Sequence, residues 1–421
     1  MRARSFILRT LHQPACIPGS WHRQGSLWPG AEARPSRHPR PARLVAVLAV
    51  PALLIAACAG GGSPAPSPSP APATPGPSGS PTIGSPASVT PVPATLEPGE
   101  IVLMTHDSFS ISESTLDAFR AQTGITVRIL QSGDAGAALN QAILTRDRPL
   151  ADLLYGVDNT FLSRALEAGI FVPHASPLLD GVDPSFLLDP GHRLSPVDYG
   201  DVCVNFDREA FGQAQRTPPA RLEDLTGPEY RGQLVVENPA TSSPGLAFLL
   251  ATIARFGETG AYTWRDYWRD LRANDVLVTA GWEDAYYGQF SGGSGEGDRP
   301  LVVSYASSPA AEVFFADPQP AEAPTGVLTD GCFRQVEFVG ILAGTEHEAA
   351  ARLFIDFMLS LPFQEDIPLN MFVFPVNRGA ALPDVFVRHT TIPDRPLTLP
   401  AEQIQQNRER WIREWTDTVL R

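Results

Sequence analysis

Ile101-Val102-Leu103-Met104-Thr105, an amphipathic run from Glu113 to Gln122 closed by Gly124, and then Ile125-Thr126-Val127-Arg128-Ile129-Leu130 decide the fold class of this chain. The outer stretches are short and apolar, as strands are. The middle one has helical spacing and ends on a glycine, the residue that most easily takes the left-handed conformation past a helix C-terminus. The alternation continues with a helix predicted over 137–146, a strand over 151–155 and a helix over 159–168 with Gly169 in the C-terminal cap position. A strand, a helix and a second strand beside the first require a crossover, so the series predicts a parallel sheet covered by helices.

The same alternation restarts after Cys203. Gln233–Glu237 reads as a strand, Pro244–Arg255 and Tyr262–Leu271 as helices, and Val276–Thr279 and Leu301–Tyr305 as strands. Helices over 348–361 and 401–419 follow, with a loop through Pro375 between them. The expectation is an α/β protein of two lobes, with residues 99–200 opening lobe 1, 201–330 forming lobe 2, and 331–421 returning to complete both. Strand-like segments around Cys203 and Cys332 would join the lobes as a hinge beside an interlobe cleft.

Upstream, Leu44–Ala57 is an apolar run behind Arg34, Arg37, Arg40 and Arg43, too short to span a membrane comfortably and shaped like a signal-peptide core. It ends in Ile55-Ala56-Ala57-Cys58, which resembles the lipobox of bacterial lipoproteins, so Cys58 is the expected acylated residue. Residues 1–57 are therefore read as a leader, long enough to place the true start codon downstream. Residues 58–98 are rich in Pro, Ser, Gly and Ala, cannot form a core, and read as a disordered, semi-extended tether. The expected location is the outer face of the cytoplasmic membrane or the periplasm. That leaves Cys203 and Cys332 as the thiols of the folded body, and in an oxidising compartment they are expected to pair across adjacent strands, with two buried free thiols as the alternative.

A formal net charge of −14, with Arg scattered among carboxylates, argues against nucleic acid as a partner and tolerates a cationic small ligand. The eight histidines show no His-x-x-x-His spacing, and no Cys-x-x-Cys, Gly-x-Ser-x-Gly or Walker pattern occurs, so neither a metal site nor an enzyme is expected. A secreted α/β hydrolase would need a nucleophile and base that these motifs do not supply. Gly133-Asp134-Ala135-Gly136 reads as a binding-loop turn. In Asn238–Phe248, Ser243 is the expected N-cap with Pro244 at the first helical position. The free N–H groups and the hydroxyls of Thr241, Ser242 and Ser243 would then seat a phosphate or other anion. Aromatic turns at Trp282, Tyr305 and Phe372 could hold a flat or cationic ligand.

Taken in order, Thr105–Phe109, Ala151–Asn159, Pro196–Gly200, Pro239–Gly245, Thr279–Tyr286, Val303–Pro309, Gln335-Val336-Glu337 and Trp411–Trp415 resemble the thiamine-binding proteins of ABC transporters. These belong to the type II periplasmic binding-protein superfamily, and the resemblance runs from about residue 100 to the C-terminus. It implies a monomer that binds thiamine or its mono- or diphosphate as cargo, without a cofactor, and passes it to a permease. Carried over, Trp282 and Tyr305 would contact the rings. Asp134 would meet the aminopyrimidine or the positive charge, and Ser242 and Ser243 would hold the tail. His106, followed by Asp107, stands where the family has Tyr, and Phe372 where it has Trp. Tyr286-Tyr287 resembles the paired tyrosines of ferric-ion binding proteins, so iron, or a polyamine, is the alternative cargo; the pair is read as helix packing because no carboxylate or His partner is evident.

Overall fold

The computed structural model describes residues 99–421; the leader, Cys58 and the tether lie outside the described residues. In chain order the elements are β1 (Gly99–Thr105), α1 (Glu113–Thr123), β2 (Ile125–Gln131), α2 (Ala135–Leu144), β3 (Leu153–Asp158), α3 (Leu162–Glu167), β4 (Phe171–Val172) and β5 (Ser195–Asp207). There follow α4 (Arg208–Gln213), β6 (Leu234–Glu237), α5 (Ser243–Phe256), α6 (Trp264–Ala273), β7 (Leu277–Thr279), β8 (Leu301–Tyr305), α7 (Ser308–Phe315) and β9 (Thr325–Leu342). The chain closes with α8 (Glu348–Met358), α9 (Leu361–Gln364), α10 (Ile367–Asn370), β10 (Phe374–Pro375), α11 (Asp384–His389) and α12 (Ala401–Val419).

The strands form one sheet in the order β2-β1-β3-β9-β5-β8-β6-β7, with β10 on β5 and β4 on β9. Its outer arms are parallel, β1 with β2 and β3, and β6 with β7 and β8, as the alternating pattern predicts. The centre differs, because β5 and β9 are antiparallel to each other and to their outer neighbours. At 13 and 18 residues they run past both arms, so the expected lobe boundaries near 200 and 330 fall inside continuous strands. The first part of β5 and the last part of β9 serve the β3 arm, and Val202–Phe206 serves β8. The strands break register between Pro196 and Asp198 and between Val202 and Val204. The disulfide Cys203–Cys332 bonds them at the second break, with Cα atoms 4.3 Å apart.

Helix α5 lies in the middle of the core, with every residue from Ser243 to Ile253 buried. Its N-cap is Ser242, whose hydroxyl accepts from the Gly245 N–H at 3.4 Å, so the helix begins one residue earlier than the Ser243 cap read from sequence; Ser242 and Ser243 both satisfy the cap preference, and only geometry chooses. Helix α6 begins at Trp264 because Asp266 reaches back to the Thr263 N–H at 2.9 Å and its hydroxyl at 2.7 Å. Its buried face meets α12, where Trp268 and Trp415 pack edge to face at 5.4 Å.

Candidate functional site

Parallel strands aim the loops that follow them toward one edge of a sheet, and α/β proteins bind ligands there. In the first arm β1 is followed by His106 and Asp107, β2 by Gly133 and Asp134, and β3 ends at Asp158. In the second arm β6 leads to Ser242, β7 to Gly281 and Trp282, and β8 ends at Tyr305. The two sets meet at Asp134. Its carboxylate accepts from the Ala135 N–H at 2.7 Å in its own arm, and from the Trp282 N–H at 3.0 Å and the Ser243 N–H at 3.4 Å in the other. Glycines allow this approach: a Cβ on Gly136 would lie 2.8 Å from the Thr241 carbonyl oxygen, and one on Gly281 3.1 Å from an Asp134 oxygen.

Asp134 thus occupies the α5 N-terminus that the sequence offers to an anionic tail. Burial raises its pKa, while the Trp282 N–H and the charge of His106 pull the other way. The Ser243 hydroxyl is buried and has no partner.

Trp282 stacks on Tyr286 with centroids 5.0 Å apart and planes 20° apart, and its indole N–H donates to Ser304 Oγ at 2.9 Å. Tyr305 lies edge-on to it, 6.5 Å away at 64°, and accepts at its hydroxyl from the Gln335 side-chain amide at 3.1 Å. A ring inserted between two others needs parallel faces about 7 Å apart, twice a carbon contact distance. Trp282 and Tyr305 instead make a corner against which a flat molecule can rest two of its sides.

A buried acidic cluster stands behind this corner. The Tyr155 hydroxyl bridges Asp198 at 2.5 Å and Glu337 at 2.9 Å. Burial, then Glu337, push the Asp198 carboxyl well above the usual range, so the cluster retains a proton. Glu337 is held below its ordinary value: burial opposes its charge, but His106 outweighs it. His106 Nε2 lies 3.7 Å from Glu337, an ion-pair distance too long for a hydrogen bond, and its ring packs against Gly156, where a Cβ would come within 2.5 Å of it. Asp158 is fully buried and pushed up to about 7 by burial, against hydrogen bonds from Thr160 and Phe161; its second oxygen has no partner. Glu237, also fully buried, has both oxygens unpartnered and is driven well above the carboxylate range by burial.

Of the residues singled out from sequence, His106, Asp134, Ser242, Ser243, Trp282 and Tyr305 come together. Asp107 is exposed and ties two loops by accepting from the Gly133 N–H at 2.9 Å. Phe372, at φ 55°, packs against Phe314 and Phe315 in an apolar cluster with Phe374 and Phe386. Asp158, Gln335 and Glu337 lie in stretches that carry the family resemblance, but sequence reading assigned them no role. A lone acid beside apolar residues gives no sign of facing others across a sheet. Tyr286 has a carboxylate partner after all, donating to Glu312 at 2.7 Å, while the partly exposed Tyr287 is turned edge-on to it. Among the described residues, no group of three or more His, Cys, Asp or Glu is arranged to hold a metal ion.

The family model described as bacterial extracellular solute-binding protein matches residues 148–405. The chain belongs to this family. This solute-binding protein is 28% identical over 340 residues to a thiamine-binding periplasmic protein of Brucella melitensis, covering 78% of the present chain and 95% of that one. Among solved structures it is similar to a periplasmic thiamin binding protein, with a TM-score of 0.67 and 26% identity over 76% of this chain and 96% of the other. It shares its fold with iron-bound HitA from Pseudomonas aeruginosa, with a TM-score of 0.60 and 19% identity over 76% and 99% of the two chains. The fold is that of the type II periplasmic binding proteins.

Proposed function

We propose that this solute-binding protein captures thiamine or one of its phosphates outside the cytoplasm and hands it unchanged to the permease of an ABC importer. The observation that carries this reading is the corner of Trp282 and Tyr305 held beside the Asp134 carboxylate, with Glu337 and Asp158 behind it. Aromatic faces attract a cationic ring by about 0.5–2 kcal/mol each, and the Asp134 and Glu337 carboxylates supply the counter-charge. The names of the relatives point to the same cargo. In this reading Cys58 carries the lipid and the Pro-rich segment spaces the binding domain from the membrane; detergent-phase partitioning lost on Cys58→Ser would test the anchor.

A ferric cargo fits less well. Tyr286 commits its hydroxyl to Glu312 at 2.7 Å, and the Tyr287 ring stands edge-on to it with centroids 5.4 Å apart. Calorimetry with thiamine, its monophosphate and its diphosphate is expected to show one site per chain for at least one of them. The absence of heat and of thermal shift with all three would reject the cargo.

A further inference from the structure

His106 is a basic side chain facing a site otherwise rich in acids, an odd neighbour for a positively charged cargo. The groups around it come from every element packed against it. Glu337 of β9 stands 3.7 Å from Nε2. The Tyr155 ring of β3 lies 5.5 Å from the imidazole, with Asp198 of β5 bound to the far side of its hydroxyl. Asp107 follows it in its own loop, while Asp134 before α2 and Glu283 beside Trp282 complete the shell. Nε2 is buried with no hydrogen-bond partner among the described residues, and Glu337 is its close counter-charge there. Asp134 links this shell to the aromatic corner, because the carboxylate that faces His106 also binds the Trp282 N–H.

We propose that capture of a cationic solute expels the proton that His106 holds against Glu337, so that binding one ligand releases one proton to the solvent. The proposal rests on the reading of the cargo as a thiamine-class cation. Two positive charges sharing Glu337 and Asp134 compete for the same carboxylates, and of the two only the imidazolium can shed its charge. No bond other than N–H breaks, and the proton passes to water or buffer. Burial works against a charge on His106, but Glu337, Asp134 and Asp107 outweigh it and raise the pKa above the ordinary imidazole value, so the empty site favours the proton more than a free imidazole does. Affinity for a cation should therefore climb with pH across the titration of His106, by up to about tenfold per unit.

The test is calorimetric titration of the full chain with thiamine at neutral pH in phosphate and in Tris, buffers that differ in their heat of protonation. A heat that differs between the buffers, and loses that difference in His106→Gln, is the expected result. Equal heats in both buffers would overturn proton release while leaving the cargo reading intact, and no heat in either would overturn both. A buffer dependence that survives in His106→Gln would overturn the assignment to His106. Should that variant fail to fold, the ring signals of the eight histidines in the wild-type chain give a second readout. One of them should titrate at lower pH with thiamine bound, and none moving would sink the proposal.

Discussion

The β1–β3 arm brings His106, Asp134 and Asp158 to the site, whereas the β6–β8 arm brings Trp282, Tyr305 and the N-terminus of α5. One arm presents charge on short loops; the other presents rings and a helix end. Neither set could hold a flat cation well by itself, since buried carboxylates lean toward their neutral form without a positive partner, and aromatic faces attract a cation only weakly. Asp134 makes them one site by hydrogen bonding into the opposite arm. The comparison teaches that the site depends on tertiary contact between the arms more than on any single motif.

The largest expected effect comes from breaking that contact. Asp134→Asn keeps the shape but removes the charge and leaves one N–H of the opposite arm without its acceptor. Hydrogen bonds to charged groups contribute about 1.5–3 kcal/mol, so ligand affinity by calorimetry should fall about tenfold to a hundredfold. A loss under about twofold on that scale would reduce Asp134 to a brace and dissolve the comparison. Trp282→Leu removes a ring from the other arm and should weaken binding about twofold to thirtyfold, in line with a cation–π contribution of about 0.5–2 kcal/mol. If a neutral pyrimidine analogue suffered as much as thiamine, the rings would be providing apolar contact and not cation attraction.

The smallest effect sharpens the charged arm through stability. Burial penalises the charge of Asp158 and pushes its carboxyl up to about 7 in the folded chain, above the ordinary carboxylate value. The folded state therefore binds the proton more tightly than the unfolded chain, and stability falls as pH rises between those two values. Asp158→Asn can keep the acceptor for Thr160 and Phe161 without the charge. Its melting temperature should exceed that of the wild-type chain at pH 8 and match it near pH 4; equal melting at both would show that Asp158 carries no such strain.

Much of the architecture was legible. The alternation from Ile101 to Gly169 and again from Gln233 to Tyr305 reproduces the two parallel arms, because burial on one side imposes periodicity on local sequence. The continuity of the sheet was not legible. Whether Ser195–Asp207 and Thr325–Leu342 are hinges between two sheets or the spine of one depends on which strands lie beside them, and pairing leaves little trace in either strand alone. At the site, Trp282, Tyr305 and Asp134 stood out because aromatic and acidic residues at strand ends are conspicuous. Phe372 was equally conspicuous, yet its ring packs with Phe314 and Phe315. The acid cluster was invisible because Asp158, Asp198 and Glu337 come from three distant stretches.

By itself the amino-acid sequence determined what short-range physics can encode: strand and helix periods, helix ends, and two cysteines suited to pairing in an oxidising space. Tertiary structure alone decided that Cys203 and Cys332 face each other across the central strands, that the Asp134 carboxylate reaches the start of α5, and that His106 is held against Glu337. Those outcomes require residues far apart in the chain to meet within a few ångströms, and the free energy of such a meeting belongs to the folded whole and not to any local segment.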